Sequence, residues 1–119
     1  MSCLFQSLSV HTKTYNASQL RQMICDFLQT DPKLIGDSKF SSLINKNTSL
    51  VEYIKEMRKS TTWGSAFEIK AFCEIFTLIV LVKTRANKFI EFLPSETFID
   101  YPKRIKIDWN GFHYEPILR

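Results

Sequence analysis

Residues 65–82 constrain the fold of this chain more than any other stretch. Ser65-Ala66-Phe67-Glu68 has the pattern of a helix capping box, and after it Ile69, Phe72, Cys73 and Phe76 recur at helical spacing. That helix leads directly into Leu78-Ile79-Val80-Leu81-Val82, which has no polar face. A run of this kind reads as a central strand covered on both sides, so the chain has to build a sheet around it and lay helices against it. Upstream, Leu20, Met23, Ile24, Phe27 and Leu28 mark a helix that Asp31-Pro32 ends, and Ser49-Leu50-Val51-Glu52 opens another whose face carries Leu50, Tyr53, Ile54 and Met57. Downstream, residues 84–88 form a turn, Phe89-Ile90-Glu91-Phe92 a returning strand, and residues 94–102 a loop. Ile105-Lys106-Ile107-Asp108-Trp109 alternates as a half-exposed strand. Asn110-Gly111 is expected to close a two-residue type I′ hairpin onto a last strand from Phe112 to Leu118. The expected class is α+β, with helices packed around a small, mostly antiparallel sheet.

With 119 residues, no repeat and no linker, residues 1–119 are expected to form a single domain. Ten Phe and only three Gly in a 45% hydrophobic chain indicate a packed protein rather than a disordered one. No apolar run approaches the length of a membrane span, and no signal peptide is recognised, so no membrane partner is expected. Three cysteines without a close pair fit neither a disulfide framework nor a zinc site. That favours a reducing compartment, the cytoplasm, with no metal and no cofactor. The net charge of +4 comes from scattered lysines and arginines, and without a stacking-aromatic-plus-basic pattern nucleic acid is not the expected partner. The oligomeric state is left open.

Two short strings at opposite ends carry chemistry. Ser2-Cys3-Leu4-Phe5-Gln6-Ser7-Leu8 sets a thiol at the start of an amphipathic helix, with Ser2 as its cap, and helix N-termini favour thiolates. Trp109-Asn110-Gly111-Phe112-His113-Tyr114-Glu115 delivers an imidazole from a hairpin. A thiol with a distant His is the usual pairing of a cysteine nucleophile with its base. Period-two geometry puts Glu115 beside His113, where a carboxylate could orient the ring. Taken alone, Cys3 is more often a small core residue, His113 a strand histidine and Glu115 a solvated edge charge. Cys25 and Cys73 lie on apolar helix faces and read as inert core thiols, and His11 reads as exposed and idle.

Cys-Leu-Phe-Gln-Ser-Leu at the start, Trp63-Gly64-Ser65-Ala66-Phe67-Glu68-Ile69 in the middle and Gly111-Phe112-His113-Tyr114 near the end resemble, in order and spacing, the ovarian-tumour (OTU) family of cysteine proteases. The resemblance covers nearly the whole chain. It implies an OTU-like, papain-like fold and hydrolysis of ubiquitin or ubiquitin-like conjugates, with Cys3 as nucleophile, His113 as general base and Glu115 in the place of the family's Asp or Asn. The expected source is a virus or a mobile element, with the host cytoplasm as the location if viral. Trp109, Trp63 and Gly64 become candidates for substrate binding, with packing of the sheet or of the Cys3 helix as the alternative. The family's Asp-Gly-Asn ahead of the nucleophile is represented here only by Met1 and Ser2. Three readings follow: a shortened enzyme with a rebuilt oxyanion site, an inactive relative that binds ubiquitin or assembles with itself, or a piece of a longer protein.

Overall fold

The structure is a computed structural model that describes residues 3–95 and 103–118. The expected cap at Ser2, the amino terminus, and residues 96–102 of the expected loop lie outside the described residues. In chain order the elements are α1 (Cys3–Thr12), α2 (Ala17–Gln29), β1 (Lys33–Ile35), β2 (Ser38–Lys39), α3 (Phe40–Leu43), α4 (Leu50–Met57), α5 (Ala66–Phe76), β3 (Ile79–Lys83), β4 (Phe89–Phe92), β5 (Arg104–Trp109) and β6 (Tyr114–Ile117).

Local chemistry sets the helix starts. Ser49 caps α4 and Ser65 caps α5 by capping boxes closed through Glu52 and Glu68, as their spacing predicts, and Asn16 with Gln19 makes a third at α2. Asp31 takes a left-handed conformation (φ 56°) just past α2, and its carboxylate accepts from the Ser41 amide at 2.7 Å and the Ser41 hydroxyl at 2.7 Å. That clamp folds residues 33–39 into a short hairpin, β1 with β2, and seats α3. Both strands are too short for periodicity to reveal them, so the helical first half is interrupted by β structure that the sequence does not announce.

The main sheet has the order β4-β3-β5-β6, with antiparallel outer pairs and a parallel central pair. Val80 and Val82 stand beside Ile105 and Ile107 on the buried face, with α5 packed against β3 and β4. Arg104, Lys106 and Asp108 alternate onto the other face. The fold is α+β, as expected. The end of the sheet differs from expectation. Trp109 pairs with Tyr114, so the connection is four residues, 110–113, and β6 begins one residue after His113. Gly111 has positive φ (102°), but Asn110 does not, because its side chain is used inside the loop instead.

Candidate active site

The first turn of α1 is held from several sides. Leu4, Phe5 and Leu8 are buried, and the Ser7 hydroxyl donates to the Cys3 carbonyl at 2.8 Å. The loop ahead of α5 presses on the same turn at Gly64, where a Cβ would stand 2.5 Å from Leu4 Cδ2 and 3.2 Å from Phe5 Cε2. Any larger side chain would have to displace the Leu4 and Phe5 side chains, which ties Gly64 to packing of the Cys3 helix. Cys3 itself is half-buried.

The far end of α1 is anchored by His11. Its Nε2 donates to the Lys106 carbonyl at 2.9 Å, so the expectation of an exposed, idle histidine is corrected: the ring is half-buried and pins α1 to β5. The idle reading fails because the partner lies 95 residues away. Register then locates the other end of the helix. Lys106 pairs with Ile117, and α1 packs along β6. From His11 back to Cys3 a helix rises about 12 Å, and from Ile117 back to His113 a strand spans about 13 Å. The two lengths match, so a helix running alongside β6 from that anchor would begin beside the loop that carries His113. The Tyr114 phenol, next to His113, is pushed up by burial first and then by Cys3 and Glu68.

Asn110 builds the backbone under the imidazole. Its Oδ1 accepts from the Phe112 amide at 2.9 Å and the His113 amide at 2.8 Å, while its own amide donates to the His113 carbonyl at 3.2 Å. The structure brings His113 Nε2 to 3.7 Å from Glu115 Oε1, both side chains being largely exposed. Asp108, directly opposite Glu115 on β5, is a second carboxylate at this position of the sheet. Sequence reading missed both the clamp of Asn110 and Asp108. The Asn-Gly signal marked the turn and hid the side-chain bonds, and cross-strand pairing needed the four-residue loop to set its register.

The remaining candidates divide. Trp109 is half-buried against the core, its ring 6.4 Å from that of Tyr114. Trp63 is 54% exposed and lines a groove of about 390 Å³ with Ile44, Tyr53, Met57 and Phe67, separate from the Gly64 contact beside it. Cys25 and Cys73 are fully buried, and burial pushes their thiols up to about 11 and about 12.

Residues 2–112 match the sequence model of the OTU-like cysteine proteases. The chain is 27% identical over 130 residues to a 232R protein of Invertebrate iridescent virus 3 that carries a provisional ubiquitin thioesterase name, covering 98% of this chain and 15% of that protein. It is 25% identical over 123 residues to the ubiquitin thioesterase OTU1 of Gallus gallus, covering 99% of this chain and 38% of the relative. An OTU domain solved in complex with ubiquitin superposes with a TM-score of 0.74 at 25% identity, covering 97% of this chain and 62% of that domain. The chain thus spans well under half the length of these curated relatives. The match takes in well over half of the chain and ends one residue before His113, and the chain belongs to the OTU-like cysteine protease family.

Proposed function

We propose that this chain is a cysteine-dependent protease that cleaves ubiquitin or ubiquitin-like conjugates, acting as one domain in the cytoplasm. The observation that supports this reading is the packing of α1 along β6, with the His11 end of the helix bonded at Lys106 opposite Ile117. His113 takes the proton of Cys3, and the thiolate attacks the carbonyl carbon at the end of the modifier. The carbon–nitrogen bond breaks as His113 returns the proton to the departing amine. Water activated by the same ring then hydrolyses the thioester. Glu115, at 3.7 Å, acts on the imidazole through its charge and stabilises it as a cation during the step. Trp109, Trp63 and Gly64 stand beside the substrate path or support its walls. The relatives named for ubiquitin thioesterase activity and the ubiquitin complex of a similar domain support the choice of partner.

A second reading is favoured by one distance: 3.7 Å between His113 and Glu115 exceeds hydrogen-bond reach, and both groups face solvent. On that reading the chain binds ubiquitin without cutting it. A ubiquitin propargyl probe decides between the two. Labelling of the wild type, abolished in Cys3→Ala and His113→Ala, supports the protease. Ubiquitin binding by calorimetry without labelling supports the binder.

A further inference from the structure

We propose that the groove at the C-terminal end of α1 is a docking site for an acidic peptide that also carries aliphatic side chains. The groove, about 450 Å³, lies between the end of α1 and the beginning of β5. Lys13 and Lys103 bring their charges to it, and Arg104 and Lys106 border it. No carboxylate is among its described lining residues. The Arg104 guanidinium meets Glu91 at 3.7 Å, largely in solvent, where such a pair neutralises little, and the Lys106 ammonium lies 5.7 Å over the Phe89 ring, which leaves its charge in place. The C-terminus of α1 contributes only about half a negative charge, short of offsetting the two lysines. The groove is therefore a local concentration of positive charge on a chain whose net charge is +4.

Its floor tells one polyanion from another. Val10 and Leu118, 41% and 72% exposed, together with Ile117, offer branched aliphatic surface. Nucleic-acid surfaces that hold single strands add aromatic rings on which bases stack; here no Phe, Tyr or Trp is among the described lining residues, and the one imidazole, His11, is held half-buried on the Lys106 carbonyl. Aliphatic surface between lysines suits a peptide that alternates carboxylates with Leu or Val. The site is also remote from Cys3: ten residues of helix separate Cys3 from Lys13, a rise of about 15 Å. A conjugate anchored here would be held by a surface independent of the thiol.

Fluorescence anisotropy of the whole chain tests this with a fluorescein-labelled peptide of alternating Glu and Leu. Polyglutamate, a Lys-Leu peptide and oligo(dT) serve as comparisons. Saturable binding of the Glu-Leu peptide that weakens with salt is expected, with affinity about tenfold lower in the Lys13→Glu/Lys103→Glu double variant, the scale on which reversed charge pairs act. The milder Lys13→Gln/Lys103→Gln pair should fall between, and it replaces the reversal if circular dichroism shows that the latter is unfolded. Val10→Asp should also weaken the peptide. Absence of binding, equal affinity for polyglutamate, tighter binding of oligo(dT), or indifference to these variants each overturns the proposal. Labelling of Cys3 by the ubiquitin probe should be the same in the Lys13→Gln/Lys103→Gln variant as in the wild type. An unlabelled wild type would defeat the protease reading and leave the groove untouched.

Discussion

Asn110 accepts from two successive amides with one oxygen, so its removal frees the backbone on which His113 stands. Asn110→Ala should lower turnover of a fluorogenic ubiquitin substrate about tenfold, mainly through kcat, the loss of about 1.4 kcal/mol being in the range of one or two such bonds. Asn110→Asp keeps the acceptor and should restore most of the rate. If the two variants behave alike, the side-chain clamp is not what orients the imidazole. Gly111 beside it tolerates no substitution cheaply: its φ is 102°, and an added Cβ would meet Arg85 Cδ at 3.0 Å. The thiols give a second test at this scale. Cys25 and Cys73 are sealed in the core with their acidities suppressed, whereas Cys3 is half-buried. The native protein should take up iodoacetamide at Cys3 alone at neutral pH, and mass spectrometry showing modified Cys25 or Cys73 before unfolding would contradict the described packing.

Between elements, an imidazole–carbonyl bond, His11 to Lys106, adds to the packing of α1 against the sheet. His11→Ala should cost about 1 kcal/mol in urea denaturation and speed amide exchange in α1 more than in α4, because the Lys106 carbonyl loses its side-chain donor. Equal protection in both helices would show that apolar packing alone holds α1. Such a bond is invisible in a sequence, since nothing local to His11 names a partner in β5. Helix starts were legible for the opposite reason: Ser49 with Glu52 and Ser65 with Glu68 satisfy orphan amides three residues apart, so pattern and cause share one window. The bounds of β4 follow from the turn at Asn87, φ 61°, where the Thr84 amide donates to the Lys88 carbonyl. The hairpin at residues 33–39 is built on Asp31 and Ser41, outside any strand pattern. In the candidate site, the strings around Cys3 and His113 could be read because each is contiguous, whereas the Asp108 carboxylate across from Glu115 emerges only from the pairing of β5 with β6.

At the scale of the whole molecule, two charged side chains are among the buried residues, and they connect most of the helices. Arg21 of α2 donates to the Met57 carbonyl at the end of α4 at 2.7 Å and lies 4.2 Å over the Phe5 ring of α1. Glu68 of α5 accepts from the Tyr53 hydroxyl of α4 at 2.7 Å, the Ser65 hydroxyl at 2.6 Å and the Ser65 amide at 2.7 Å. Burial nevertheless raises the Glu68 carboxyl above its ordinary 4.5, the hydrogen bonds opposing it only in part. An acid whose affinity for its proton is greater in the folded state adds stability that is fully present below the unfolded value and is lost as pH rises through the folded one. Asp31, Glu52 and Glu56 act the other way: hydrogen bonds hold the first two below their usual range, and the Lys59 ammonium so holds Glu56. Their stabilisation is present above the unfolded value and is lost as pH falls, so a single stability curve mixes opposite slopes. Subtracting the curve of Glu68→Gln isolates one group, since the amide side chain cannot titrate and still offers an acceptor to Ser65. The wild type should be the more stable partner, relative to its neutral-pH comparison, near pH 4.5, and its advantage should shrink steadily as pH rises above that value. Urea denaturation of the two proteins across that window measures the difference directly. A gap that is flat with pH, or that widens in the wild type's favour as pH rises, would mean that the carboxylate is ionised in the core at little cost and that Arg21 compensates it.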